Sequence, residues 1–150
     1  MRVVVQRVSE ASVTINNNIV SSIQNGLLVL LGITNDDDKN DIEWLCKKIA
    51  NLRIFSDHSG VMNQSLLDVN GELLIVSQFT LYAKTKKGNR PSYIEAAKTE
   101  VSKPLYEAFI SYAGQLLGKE VKTGVFGAQM KVSLTNNGPV TIIIDSKNRE

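Results

Sequence analysis

The chain has 150 residues, of which 43% are apolar and 21% are charged, and its formal net charge is +2. This charge is too small to indicate nucleic-acid binding by itself, so any RNA contact must depend on the local placement of basic residues. The single cysteine excludes a disulfide framework and a thiolate metal cluster, which fits a reducing compartment. No apolar run reaches the ~20 residues of a membrane span, and no export signal is recognisable, so we expect a cytoplasmic protein.

The N-terminal region is predicted to be mainly β-sheet. Residues 2–15 alternate roughly between valine and polar residues, which predicts one long or bulged strand. The asparagines at 16–18 predict a turn into a second strand at 19–22. Residues 25–26 are Asn-Gly, a typical hairpin signal, and the continuous apolar run 27–33 predicts a strand buried on both faces.

Two helices are predicted at separate places in the chain. The aspartates 36–38 predict the start of the first, because carboxylates favour a helix N-terminus, and the run lacks the glycine and glutamate of a calcium loop. Its apolar face is formed by Ile42, Leu45, Cys46 and Ile49. The second helix is predicted with Ser102 as its N-cap, Pro104 near its first position and Gly118 just past its end.

Further strands are predicted at 52–55, 72–82, 121–125, 130–135 and 140–145. The apolar stripes of both helices are interpreted as parts of the core. The order of the elements predicts an α/β fold with a three-layer arrangement, in which the two helices cover one face of a sheet. Mixed and antiparallel strands and hairpins are expected to form the other layers.

The residue inventory argues against several classes of enzyme. His58 is the only histidine and lies in a polar turn without a nucleophile motif, so a Ser-His-Asp arrangement is not predicted. One histidine and one cysteine cannot form a zinc site without several carboxylates, and the sequence contains neither a P-loop nor a dinucleotide fingerprint. We therefore expect no metal, no cofactor and no general base supplied by a side chain.

The end of the predicted strand 72–82 carries the first candidate site. Alternation places Gln78 and Thr80 on one face and Ser77 and Phe79 on the other. The pattern fits an edge strand with a wet face, and it also fits the floor of a pocket. Thr80 without a paired base is a weak nucleophile, but such a site can position a substrate and stabilise an oxyanion, which suffices for an activated bond.

Four cations follow this strand within seven residues: Lys84, Lys86, Lys87 and Arg90. Such a run fits a solvated loop. Beside a pocket it equally fits a binding site for the phosphates of a nucleic-acid end.

A second unusual stretch, Asn137, Gly138 and Pro139, lies between the last two predicted strands. Gly138 tolerates unusual torsion angles, and Pro139 cannot donate a hydrogen bond at the start of a returning strand. A plain turn explains such a stretch on its own. Its occurrence together with the polar strand end favours a functional, exposed tip.

Two segments together resemble the signature motifs of the D-aminoacyl-tRNA deacylase family: Ser77-Gln78-Phe79-Thr80-Leu81 and Asn137-Gly138-Pro139-Val140-Thr141. The likeness extends to residues 1–8, 88–92 and 124–130, so it covers residues 1–150 as a single domain. The resemblance implies an editing hydrolase that cleaves the ester between a D-amino acid and the 3′-terminal ribose of tRNA. That ester is labile enough for a site without a histidine base.

The resemblance also implies a homodimer in which the Gly138–Pro139 tip, with a cis peptide bond, enters the pocket of the other subunit. The tip is expected to exclude L side chains by crowding, supported by Arg7 and Asn137. Glycine has no side chain to exclude, so glycine mischarged on alanine tRNA is an expected second substrate.

Individual roles follow from the same resemblance. The expected catalytic residues are Ser77, Gln78, Phe79 and Thr80. Gln78 and the backbone N–H of Phe79 would position the ester and its oxyanion. Thr80 resembles a residue once assigned as a nucleophile, and its chemistry favours positioning, assisted by water or by the 2′-hydroxyl of the tRNA. Phe126 and Met130 would line the pocket for the terminal adenosine, and the four cations would contact tRNA.

Two other functions stay open at this point. One is a non-catalytic module that binds an RNA end through residues 84–90. The other is an esterase that acts on small D-amino-acid esters.

Overall fold

The structure, a computed structural model, describes residues 1–149. The strands in this range are β1 (Arg2–Ile15), β2 (Asn18–Ile23), β3 (Gly26–Gly32), β4 (Phe55–Ser56), β5 (Met62–Gln64), β6 (Glu72–Ser77), β7 (Lys122–Thr123) and β8 (Lys131–Asp145). The helices are α1 (Lys39–Asn51) and α2 (Thr99–Leu117), and a 3₁₀ turn spans Phe79–Tyr82. The predicted strand at 52–55 overlaps β4 only at Phe55, and the predicted strand at 121–125 is shortened to β7.

Six strands form one sheet organised around β1. This long strand pairs antiparallel with β3 over its first half, with β2 over its second half, and with β8 along nearly its whole length. β3 pairs in parallel with β6, and β6 pairs in parallel with β7. β4 and β5 form a separate two-stranded sheet. The sheet is therefore mixed, as predicted.

Two apolar cores lie on opposite faces of β3 and β6. On one face, Leu27, Val29 and Ile75 are buried together with side chains of both helices. On the other face, Leu28 and Leu74 are buried against the second half of β1 and the first half of β8, so the sheet curls over itself almost as a barrel does. This confirms the prediction that β3 is buried on both faces and that the helices cover one face. No helix of residues 1–149 is long and apolar enough to cross a membrane.

α1 begins where the aspartate run predicts. The carboxylate of Asp38 accepts hydrogen bonds from the N–H groups of Asn40 (2.8 Å) and Asp41 (3.3 Å), and the Asp41 carboxylate accepts one from the Asp38 N–H (2.9 Å). Asp41 also accepts a hydrogen bond from Nζ of Lys147 (2.7 Å), which ties the C-terminal segment to the helix. Burial acts to raise the pKa of Asp41, but hydrogen bonds from Lys147, Ser146 and the Asp38 backbone outweigh it and lower this pKa to about 2.

α2 begins earlier than predicted. Lys98, and not Ser102, is its N-cap, and the helix starts at Thr99. Ser102 lies within the helix, where its hydroxyl donates to the carbonyl oxygen of Lys98 (2.9 Å), so this side chain bonds back along the helix instead of capping it. Pro104 consequently lies inside the helix and not at its first position. Gly118 ends the helix in the left-handed conformation, with a φ of 64°, as predicted.

β6 is shorter than the predicted strand. It ends at Ser77, and the chain then enters the 3₁₀ turn. Gly32, at the end of β3, leaves room for this turn, because a Cβ atom there would lie 3.0 Å from Cβ of Leu81 and 3.2 Å from the carbonyl oxygen of Gln78. The prediction that the strand continues to residue 82 is therefore wrong, although the side chains of Gln78 and Thr80 lie together as predicted and are hydrogen-bonded to each other.

The last two predicted strands form one strand, β8. Both of its halves pair antiparallel with β1, because β1 is long enough to serve as a template for both. Gln6 pairs with Thr141 and Val8 pairs with Asn136, so Arg7 is the one residue of β1 that faces the four residues 137–140 of β8. The segment that contains Gly138 and Pro139 is therefore an exposed bulge within a continuous strand, and the prediction that it forms the tip between a strand and its return is wrong.

Candidate active site

A cavity of about 560 Å³ opens beside the end of β6. Its volume falls in the range of small-molecule sites. The walls come from β3, β6, the 3₁₀ turn, the segment that leads into α2, and the segment that leads into β8. The predicted site residues that line it are Ser77, Gln78, Phe79, Phe126 and Met130. The fold therefore brings the polar strand end and the predicted adenosine pocket into one cavity.

Gln78 is fixed at the point where the strand ends. Its backbone N–H donates to the carbonyl oxygen of Leu31 on β3 (2.8 Å). Its side-chain Nε2 donates to the hydroxyl of Thr80, which itself does not line the cavity. The N–H of Phe79 lies at the start of the 3₁₀ turn, where N–H groups have no partner within the turn. The arrangement can therefore supply hydrogen-bond donors to a bound carbonyl group.

The cavity offers donors but no strong base. Among the described residues that line it there is no carboxylate and no imidazole; its polar side chains are hydroxyls, the Gln78 amide and the ammonium group of Lys98. Cys46 is buried in the helix-covered core, and burial raises the pKa of its thiol to about 12, so it is not a ready nucleophile. No group of three or more His, Cys, Asp or Glu within residues 1–149 could hold a metal ion. This site can position a substrate and stabilise negative charge.

Packing beneath the cavity fixes its apolar wall. The buried ring of Tyr106 lies 5.5 Å from that of Phe126, and its hydroxyl donates to the carbonyl oxygen of Ile75 (2.9 Å). Burial raises the pKa of Tyr106 to about 12, so this hydroxyl stays protonated. Gly124 allows Met130 to pack closely, because a Cβ atom at position 124 would lie 2.5 Å from its sulfur.

The bulge of β8 does not reach the cavity of its own chain. The bond between Gly138 and Pro139 is cis, as the resemblance implies. Nε of Arg7 donates to the carbonyl oxygen of Asn137 (2.8 Å), and its Nη1 donates to the carbonyl oxygen of Ile54. Gly138 has a φ of 145°, and a Cβ atom there would lie 3.0 Å from the Arg7 guanidinium, so the position requires glycine. Arg7 thus holds the bulge from within the same chain.

The four predicted cations also lie outside the cavity. Lys84 pairs with the carboxylate of Glu95, and two backbone hydrogen bonds between Lys84 and Ser92 (2.8 and 3.0 Å) close the segment between them into a loop. The other three cations are exposed on this loop, and within residues 1–149 they form no ion pair.

Several residues that line the cavity were not predicted to do so from the sequence: Tyr93, Lys98, Thr99 and Ser102, the last of which was predicted only as a helix cap. Tyr93 directly follows the segment 88–92, which carries part of the resemblance, so a signal for it existed. No pattern marks Lys98 or Thr99, because their placement depends on where α2 begins.

The profile of the family described as D-Tyr-tRNA(Tyr) deacylase matches residues 4–145. The chain belongs to this family. Proteins named D-aminoacyl-tRNA deacylase from Flavobacterium psychrophilum and Bacteroides fragilis are each 63% identical to the chain over 150 residues, and the alignments cover both partners completely. These relatives confirm the predicted family and the predicted class of enzyme.

Two solved structures resemble this deacylase-family chain. A c-Myc DNA unwinding element binding protein is 41% identical, with a TM-score of 0.92 over 97% of this chain and 98% of that one. A probable eukaryotic D-amino acid tRNA deacylase is 20% identical, with a TM-score of 0.82 over 95% and 97% of the two chains, and this likeness shows the fold alone. The predicted mixed α/β fold is confirmed.

Proposed function

We propose that this deacylase hydrolyses the ester bond of D-aminoacyl-tRNAs and releases a free D-amino acid and tRNA. The cavity at the end of β6, which presents hydrogen-bond donors without a base, is the observation that carries the proposal. An aminoacyl ester is already activated toward water, so positioning and charge stabilisation suffice for its hydrolysis. One oxyanion donor contributes about 10²–10³ in rate at such sites.

In the proposed reaction, each part of the substrate lies against particular residues before water attacks. The terminal adenosine lies against Phe126 and Met130, and the ester carbonyl points toward the Gln78 amide and the Phe79 N–H. Water adds to the carbonyl carbon, and these donors stabilise the charge that develops on the carbonyl oxygen. The bond to the ribose oxygen then breaks, and that oxygen takes up a proton from water or through the neighbouring 2′-hydroxyl. Thr80 acts by holding the Gln78 amide.

We further propose that chirality is selected by a second copy of the chain. The bulge residues Gly138 and Pro139 are exposed and lie outside the cavity of their own chain, so a shared site requires a homodimer. Their carbonyl groups then crowd the space that an L side chain would occupy, and the D substrate avoids this contact. Glycine has no side chain, so glycine on alanine tRNA is also cleaved.

A paired deacylation assay tests the proposal. Purified protein should release D-tyrosine from D-tyrosyl-tRNA and leave L-tyrosyl-tRNA largely intact, without added metal or cofactor. Equal hydrolysis of both would contradict exclusion of L side chains. No hydrolysis, with retained binding of the RNA, would indicate the non-catalytic module. Equal cleavage of free D-tyrosine esters and the tRNA-linked ester would indicate a small-ester esterase.

The role of Thr80 is separable from that of Gln78. Thr80→Ala should retain part of the activity, because it loosens the Gln78 amide without removing a reacting group. Gln78→Ala should cost more, since it removes a donor to the substrate. Complete loss of deacylation in a correctly folded Thr80→Ala protein would instead indicate a nucleophilic threonine.

A further inference from the structure

The mouth of the cavity carries exposed aromatic side chains. The rings of Phe79 and Tyr93 meet edge to face, with centroids 5.0 Å apart and planes inclined at 76°. Both residues line the cavity, yet Phe79 is 57% exposed and Tyr93 is 38% exposed. Exposed aromatic rings beside basic groups are typical of surfaces on which unpaired bases stack.

The segment that carries Tyr93 is firmly anchored. The carbonyl oxygen of Tyr93 accepts a hydrogen bond from the N–H of Ala96 (3.0 Å), and the N–H of Ala97 donates to the carbonyl oxygen of Ile33 (2.9 Å). Lys98 follows directly as the N-cap of α2 and lines the same cavity. The tyrosine ring and the lysine ammonium group are therefore carried by one fixed stretch of backbone.

The surface around this mouth is locally basic. Residues 84–103 include six lysines or arginines and two glutamates, whereas the net charge of the whole chain is only +2. One of the two glutamates, Glu95, is paired with Lys84. This charge favours a polyanion as the occupant of the aromatic rim over another kind of protein.

We propose that Tyr93 and Lys98 form a subsite for the nucleotide that precedes the terminal adenosine in the unpaired 3′ end of tRNA. The inference rests on the proposed function, because the aminoacylated adenosine fills the cavity and the RNA chain must leave through its mouth. The penultimate base stacks on the exposed ring of Tyr93. Lys98 binds the phosphate that joins the last two nucleotides.

Two substrates distinguish this subsite from the catalytic cavity. D-Tyrosyl-tRNA carries the penultimate nucleotide, whereas D-tyrosyl-adenosine ends at the terminal nucleoside. Tyr93→Ala should lower kcat/KM for the tRNA substrate by about 5- to 150-fold, the range of base stacking on an aromatic side chain, and lower it far less for the adenosine ester. Tyr93→Phe should retain activity on both, because stacking requires the ring and not the hydroxyl.

The salt dependence of kcat/KM tests whether Lys98 binds a phosphate. Lys98→Gln should reduce the slope of log kcat/KM against log salt by about 0.7 for the tRNA substrate, the contribution of one phosphate contact on a single strand. Lys103→Gln is the matched control, because this exposed lysine of α2 pairs with Glu107 and does not line the cavity. Its slope should stay close to that of the wild type.

The possible outcomes separate the two proposals. Equal losses on both substrates for Tyr93→Ala would place the ring against the amino acid or the terminal adenosine and would overturn the subsite. Unchanged activity on both substrates, or an unchanged salt slope for Lys98→Gln, would overturn it as well. A wild-type protein that hydrolyses neither substrate would refute the proposed function and the subsite together.

Discussion

Arg7 joins two backbone segments from different parts of the chain. Its guanidinium donates both to Asn137 in the β8 bulge and to Ile54 ahead of β4. Hydrogen bonds from a charged donor contribute more than neutral ones, and a lysine cannot reproduce the two-directional geometry of the guanidinium. Arg7 is therefore expected to set the position of the bulge.

We predict that Arg7→Ala and Arg7→Lys lower the ratio of kcat/KM for D- over L-tyrosyl-tRNA by about 10- to 100-fold, since a charged hydrogen bond is worth ~1.5–3 kcal/mol. The measurement is the pair of deacylation rates. Arg53→Ala is the control, because Arg53 also donates to a backbone carbonyl, that of Asn63 (3.0 Å), away from the bulge. An unchanged ratio in Arg7→Ala would show that Arg7 does not contribute to the selectivity for D substrates.

Gly124 controls the room available to Met130 at the cavity wall. In Gly124→Ala the new methyl group would push the thioether toward the cavity, because a Cβ atom there lies 2.5 Å from its sulfur. We predict a rise of about tenfold in KM for D-tyrosyl-tRNA with little change in the melting temperature, since methionine adapts its side chain easily. The double variant Gly124→Ala/Met130→Leu should recover part of the loss in KM, because leucine is shorter than methionine and keeps an apolar contact for the adenosine. A large fall in the melting temperature with KM unchanged would contradict this account.

At the scale of elements, the contact between α1 and the C-terminal segment makes stability depend on pH. The folded-state pKa of Asp41 is about 2, below its ordinary value of 3.8, so its contribution is complete above about pH 5 and is lost as the pH falls toward 2. Lys147 supplies the largest hydrogen-bonding contribution to this lowered pKa.

We predict that Lys147→Met lowers the free energy of unfolding by about 1–2 kcal/mol at pH 7, and that the difference shrinks to roughly half by pH 3. Urea denaturation at the two pH values measures it. Lys39→Met serves as the control, because Lys39 is 85% exposed and its ion pair with Glu43 lies on the surface. A difference that does not change with pH would show that Lys147 acts by packing alone.

Local sequence patterns predicted the elements whose bounds do not depend on contacts with distant parts of the chain. The aspartate run marked α1, the apolar run marked β3 as a strand with two buried faces, and Gly118 marked the end of α2. The end of β6 was missed, because Phe79 and its neighbours favour a strand by their side chains. The end depends on Gly32, which admits the 3₁₀ turn from a different part of the sequence.

The site was predictable to a similar extent. Short motifs located Ser77, Gln78 and Phe79, which line the cavity, and Thr80, which does not. The start of α2 was misplaced, because the Ser102 hydroxyl, a typical cap, bonds back to Lys98 instead. Lys98 was missed for the same reason, since only the true start of the helix brings it to the cavity. The functional roles of all these residues stay predictions.

At the scale of the whole molecule, the proposed site is divided between two copies of the chain. A subunit with Gln78→Ala keeps a normal bulge, and a subunit with Gly138→Ala keeps a normal cavity. Each hybrid dimer of the two should therefore contain one site with both parts intact. Random exchange between equal amounts should give about a quarter of all sites both an intact cavity and an intact bulge, because half of the dimers are hybrids with one such site each.

Mixing the two variants and measuring deacylation of both D- and L-tyrosyl-tRNA checks this prediction, because the mixture should recover part of the D-over-L ratio that Gly138→Ala lacks alone. Subunit exchange is followed independently, with a different affinity tag on each variant. Proven exchange without recovery would show that the cavity and the bulge do not cooperate across subunits. Each variant incubated alone under the same conditions is the control.

The bulge in β8 also sets how the strand is oriented on either side of it. Four residues, 137–140, lie opposite Arg7 alone, so at this bulge β8 gains three residues over β1, an odd number. A separate shift between Val8 and Glu10 adds one residue to β1 and leaves the alternation of β8 unchanged. In a regular strand, residues with even numbers point to one face. The odd number of extra residues in the bulge reverses this order, so Leu134 and Ile142 pack into different cores. The fold therefore fixes the number of residues in the bulge. A substitution there leaves this alternation unchanged, whereas gaining or losing a single residue would turn half of a fifteen-residue strand inside out.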